Sequence, residues 1–270
     1  MSQKIVQGRA AMMFGAAAAM ALGLVAWSGM TVSAQAPGGR AGGAPAGPPP
    51  TAQSTAAIDL TGNWVSVVNE DWRWRMVTPP KGDYASVPLN ADGTKEADKW
   101  TPAMDGQCQA YGMAGLMRQP TRVRISWQDP QTLKIETDAG VQTRLLKFGN
   151  QPKAATRSLQ GSSAAEWERP GGGGRGRGGQ LPPGGNLKAV TTMLTPGWLR
   201  KNGVPYSADA EVTEYFDRFT APNGDEWFSV TTIVHDPKFL NQDFVTSSHF
   251  KKEADGSKWS PSPCRVAAGS

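Results

Sequence analysis

Glu214, His235 and His249 are the side chains of this sequence best suited to moving protons. A carboxylate set among apolar neighbours, and imidazoles that titrate near neutrality, are the usual general acids and bases. In residues 210–219, Val212, Glu214, Phe216 and Arg218 share one face of a strand, and Glu211, Thr213, Tyr215 and Asp217 share the other. If Val212 and Phe216 point inward, Glu214 and Arg218 go with them, and a buried carboxylate must be paired or protonated. Structural pairing is one reading; a polar anchor or general acid in a binding cavity is the other. His235 ends a strand beside Asp236, and His249 lies among Ser247, Ser248 and Phe250. On neighbouring strands the two rings could form a two-His metal or proton site. A serine, a histidine and a carboxylate can be picked from almost any chain of this length, so no catalytic triad follows from their presence.

Other residues suit binding better than catalysis. Trp72 and Trp74 alternate with Arg73 and Arg75 over 72–77. Either the indoles pack inside and the guanidinium groups are solvated, or the indoles form a cavity wall for a flat or sugar-like ligand. Residues 110–117 are apolar and carry Met113 and Met117, which suit a core plug or a ligand lid. The chain has only 2 His and 2 Cys, too few for a closed zinc site or an iron–sulfur cluster, each of which wants about four ligands. No Walker-type GxxxxGK[ST] and no GxSxG elbow can be read, and no GxGxxG stands between a strand and a helix. Neither metal nor cofactor is expected.

The elements that must position these residues begin after an export signal. Lys4 and Arg9 precede an apolar run over 10–27 and a small, polar stretch over 28–34, the layout of a secretory signal peptide. Cleavage is expected near Ala34. Removing those two cations from 28 Lys+Arg leaves 26 against 23 Asp+Glu, which is no nucleic-acid footprint. The mature protein is expected to be periplasmic or secreted, without stable membrane insertion. In an oxidising compartment Cys108 and Cys264 most simply form one disulfide; two free thiols are the alternative. Residues 35–57, rich in Gly, Pro and Ala, read as a disordered tether. The Gly/Arg-rich stretch 170–185 reads as a flexible loop.

Between these stretches lies a single expected domain, 58–268, whose hydrophobic period is two. Val123, Ile125 and Trp127 alternate with Arg122, Arg124 and Ser126, and Leu133, Ile135 and Thr137 with Thr132, Lys134 and Glu136. Asp129-Pro130-Gln131 makes the turn between them. Further strands are expected over 63–68, 72–77, 141–148, 158–167, 187–195, 210–219, 226–236 and 244–252. About ten strands in series make an all-β antiparallel meander, whose edges are removed by closure into an up-and-down barrel; a two-sheet sandwich is the rival. One excursion, 79–120, interrupts the meander as a lid or plug, with a short helix expected to start at Asp92 as N-cap.

Asp59-Leu60-Thr61-Gly62-Asn63-Trp64 resembles the opening of lipocalins and the wider calycin group. The resemblance implies that Gly62 and Trp64 close the base of a barrel over an apolar ligand cavity, with Lys251 or Lys252 packing on Trp64 by cation–π contact. The chain is also similar to an uncharacterised family of secreted bacterial proteins through the stretches 70–84 and 230–234. The expected function is therefore binding of a small, largely apolar ligand in the cell envelope, with Trp72, Trp74, Met113, Met117, Glu214 and Arg218 as candidate contacts. Two alternatives stand beside it. One is a lipocalin-fold enzyme of isomerase, hydratase or hydrolase type using Glu214, His235 and His249. The other is an envelope interaction module that presents the Gly/Arg loop.

Overall fold

The computed structural model describes residues 49–104, 108–152, 154–170 and 184–264. The expected signal peptide, most of the tether and most of the Gly/Arg loop lie outside them. Nine strands form a closed barrel: β1 (Gly62–Val67), β2 (Arg122–Asp129), β3 (Thr132–Thr137), β4 (Thr143–Phe148), β5 (Ser162–Glu168), β6 (Asn186–Thr192), β7 (Glu211–Thr220), β8 (Glu226–His235) and β9 (Phe244–Glu253). Each pairs with its neighbours in sequence, and β1 closes the ring between β9 and β2. A ring with an odd number of strands cannot alternate direction throughout. The one parallel pair is β4 with β5, so the connection 149–161 runs back along the barrel before β5 begins. The all-β barrel is thus present and the sandwich is not.

Period-two patterning places the core. Val123 and Ile125 of β2, Leu133 and Ile135 of β3, Leu146 of β4, Leu187 and Ala189 of β6, and Phe216, Phe228 and Phe250 of β7 to β9 all turn inward and are buried. Trp64 is fully buried, with Phe228 edge-on at 4.9 Å and its Nε1 donating to the Leu60 carbonyl at 2.9 Å. Lys252 is the cation above its ring, 5.4 Å from the centroid. Gly62 has φ +124, and a Cβ there would press on the Lys252 side chain at 3.3 Å, so this position needs glycine.

Both ends of the barrel are closed. At the end that Trp64 occupies, part of the stretch read as tether belongs to the fold. Ala52 is buried, its carbonyl accepts from Trp167 Nε1 at 2.9 Å, and its N–H donates to Gln131 Oε1 at 3.1 Å. The opposite end is covered by the excursion between β1 and β2 and by a ribbon of Gly197–Arg200 with Val204–Tyr206. The excursion carries three short helices, α1 (Trp72–Arg75), α2 (Ala91–Ala97) and α3 (Met113–Leu116). Met113 lies in the apolar cap with Leu199, Tyr206, Val212 and Phe244, while Met117 reaches the barrel core. This segment is packed as a plug.

Two local expectations are corrected. Residues 72–77 are not a strand. Asp71 takes a left-handed conformation (φ 52), its carbonyl accepts from the N–H groups of Trp74 and Arg75, and a helical turn follows. Four residues are too few for alternation to separate a turn from a strand, and here Arg75 is buried while Trp72 is exposed. The helix expected from Asp92 is capped instead by Asn90, whose side chain accepts from the Gly93 N–H at 2.8 Å.

Cys108 and Cys264 are disulfide-bonded across 156 positions of sequence. The bond tethers the tail, which also pairs Ser262–Pro263 with Ala139–Gly140. Cys264→Ser is expected to lower unfolding free energy by about 2–5 kcal/mol, read as a lower urea midpoint.

Candidate functional site

The barrel lumen is filled by its own side chains. Glu214 of β7 points inward and meets Arg144 of β4 across two intervening strands: Nη1 to Oε1 is 3.2 Å and Nη2 to Oε2 is 2.5 Å. Both groups are buried, at 1% and 0% side-chain exposure. A paired hydroxyl contact between Ser163 and Thr191 at 2.7 Å lies on neighbouring β5 and β6. Glu214 is therefore held in a structural ion pair, and its partner is Arg144. Arg218, two inward positions further along β7, pairs with Glu226.

The structure keeps the proton-transfer candidates apart. His235 is exposed and pairs with Asp243 at 2.7 Å, and that contact raises its pKa. His249 faces outward from β9 and approaches Glu70 at 3.3 Å. His249 stands opposite Ser229, six residues before His235 on β8, so the two positions are separated by roughly 20 Å along the strand. They form no shared site, and among the described residues no group of three or more His, Cys, Asp or Glu could hold a metal ion. Trp72 is 67% exposed, and Trp74 lies between two guanidinium groups, Arg73 at 4.9 Å and Arg200 at 4.6 Å from its centroid. Neither indole lines the lumen.

A cavity of about 320 Å³ opens at the plugged end, outside the barrel wall. Trp100, Trp198, Tyr206 and Phe239 give it aromatic walls, with Met104 and Gln109 beside them. α2 delivers Trp100 onto the ribbon, where Gly203 (φ +79) leaves room: a Cβ there would stand 2.3 Å from the Trp100 Cβ. Asp236 fixes the adjoining loop by accepting from the Ser207 N–H at 2.6 Å and hydroxyl at 2.8 Å.

The polar atoms of these walls are unusual for buried groups. Trp100 Nε1, the Tyr206 hydroxyl and Gln109 Oε1 are buried without a hydrogen-bond partner among the described residues. Native interiors leave few such atoms, because each forfeits its bond to water without replacement. Burial pushes the Tyr206 hydroxyl well above the ordinary tyrosine range, so it stays protonated and able to donate. The three atoms lie behind the cavity surface, Tyr206 being fully buried, and it is the flat apolar walls that suit a small molecule with an apolar body. Sequence reasoning missed these residues because Trp100, Trp198 and Tyr206 lie in the excursion and the ribbon, where no periodicity marks an inward face.

Compared with protein-family models, curated proteins and solved structures, the chain finds no match.

Proposed function

We propose that this chain is an exported, lipocalin-like binding protein that takes a small, largely apolar ligand at the plugged end of the barrel. The observation that carries this reading is the aromatic-walled cavity. Its volume falls in the usual range of ligand pockets, about 300–1,000 Å³. The filled lumen argues against the interior site of a hollow barrel. Export is supported by the disulfide, which persists in oxidising compartments, and by the signal-like start of the sequence. No helix of the described residues is long and apolar enough to cross a membrane.

The test uses N-(1-naphthyl)acetamide, a flat apolar ring carrying one amide, titrated calorimetrically into the mature protein. Saturable binding is expected. Ala208→Trp, which fills the cavity from its lining, is expected to weaken binding more than tenfold. Binding that survives Ala208→Trp, or no binding by the folded wild-type protein, would refute the assignment.

A further inference from the structure

A chemically different group of residues lies at the same end and shares no lining residue with the aromatic cavity. Arg75, Arg118 and Arg200 are buried there, at 3%, 4% and 2% exposure. Arg75 is satisfied: Nε donates to the Arg118 carbonyl at 2.8 Å, Nη1 to Glu70 and Nη2 to Ser66 Oγ at 3.5 Å. Arg118 is half satisfied, with Nη2 on Asp71 at 2.9 Å and Nη1 without a partner. Arg200 is not satisfied at all: Nε, Nη1 and Nη2 have no hydrogen-bond partner among the described residues, and the guanidinium lies on the face of Trp74, 4.6 Å from the ring centroid.

The charges do not balance either. The guanidinium groups of Arg73, Arg75, Arg118 and Arg200 are served by three carboxylates, those of Glu70, Asp71 and Asp83. Asp83 is engaged by Arg73 at 2.7 Å, and Glu70 is shared between Arg75 and His249. Burial first, and then the neighbouring charge of Arg118, push the pKa of Arg200 down to about 10, so it remains charged at neutral pH. A buried guanidinium without a hydrogen bond is among the costliest arrangements a fold can hold, and a missing anion is the simplest remedy.

We propose that Arg200 and Arg118 bind an oxyanion, a carboxylate or a phosphate group, beneath the Trp74 ring. The planar fork of Arg200 matches two oxygens of either group, and the free Nη1 of Arg118 supplies further donors. The cover is α1, a single turn whose Trp72 already faces solvent beside the exposed Met76 and Val77. Asp71 is the built-in competitor, since its carboxylate occupies the other arm of Arg118.

The test measures calorimetric binding and thermal unfolding of the mature protein in inorganic phosphate, in acetate and in chloride at matched ionic strength. Phosphate or acetate is expected to raise Tm and give saturable heat, and whichever acts alone identifies the group. Arg200→Met is expected to weaken that binding at least tenfold, while Asp71→Asn, which removes the competitor, should tighten it severalfold. A response no larger than that to chloride, or affinity that survives Arg200→Met, overturns the site. Where Arg200→Met does not fold, an Asp71→Asn affinity at or below that of the wild type overturns it. Ala208→Trp leaves this cluster untouched, so the site stands or falls apart from the aromatic cavity.

Discussion

Glu214→Ala is expected to destabilise the protein by about 3–5 kcal/mol, more than the small volume removed would suggest. The substitution strands the Arg144 guanidinium inside the barrel, 1% exposed, with its two hydrogen bonds gone. A guanidinium is charged under all ordinary conditions, so it cannot escape by losing its proton. Removing both charges has a different cost. The double variant Arg144→Met/Glu214→Leu fills similar space with apolar atoms and is expected to be far less damaged than Glu214→Ala, and close to wild type, because a buried pair loses in desolvation much of what it gains in attraction. Urea denaturation of the two variants checks this. A single variant no worse than the double one would mean that Arg144 finds water or another partner.

Trp64→Ala should cost a similar amount, about 3–5 kcal/mol, for an unrelated reason. Here the loss is contact. Trp64 is fully buried, Phe228 packs its edge on the indole, Phe228 in turn stacks on Phe250 at 4.6 Å, and Phe216 adjoins them at 6.2 Å. Removing the indole opens a void at the head of this aromatic run and leaves the Leu60 carbonyl without its donor. Trp64→Phe keeps an aromatic filling and should recover part of the loss. The readout is again the urea midpoint, with near-UV circular dichroism reporting whether the aromatic run keeps its order. A loss below 1 kcal/mol would show that the base of the barrel collapses onto the gap.

Where a strand has one wet face, as β2 and β3 do, alternation of residue type was enough to place both the strand and its inward side chains. The same rule put Glu214 inside and required a partner for it. That partner, Arg144, is 70 positions away in sequence, and local spacing could not point to it. A signal existed all the same: Arg144 shares the period-two face of Leu146 and Phe148, the inward residues of β4. No comparable signal marked Arg200. It sits in Gly197–Arg200, a segment buried at every position, so type and periodicity say nothing about which side matters. Trp72–Arg75 misled for the converse reason, since a strand-like alternation was laid over a turn set by the conformation of Asp71. Residues 51–55 look like linker by composition, yet their backbone groups meet Gln131 and Trp167, contacts that depend on where the barrel's end turns out to be.

That the first strand of the barrel lies between the second and the last has a consequence for biogenesis. β1 leaves the ribosome before β9 exists, so an emerging chain carries two open sheet edges until its final tenth arrives. Such edges are templates for pairing with other chains, and contacts of this sequence separation form late and slowly. Closure is therefore a terminal, all-or-nothing event. A chain stopped before Phe244 would present β1 and β8 unpaired, and aggregation or proteolysis, rather than a smaller barrel, is its expected fate.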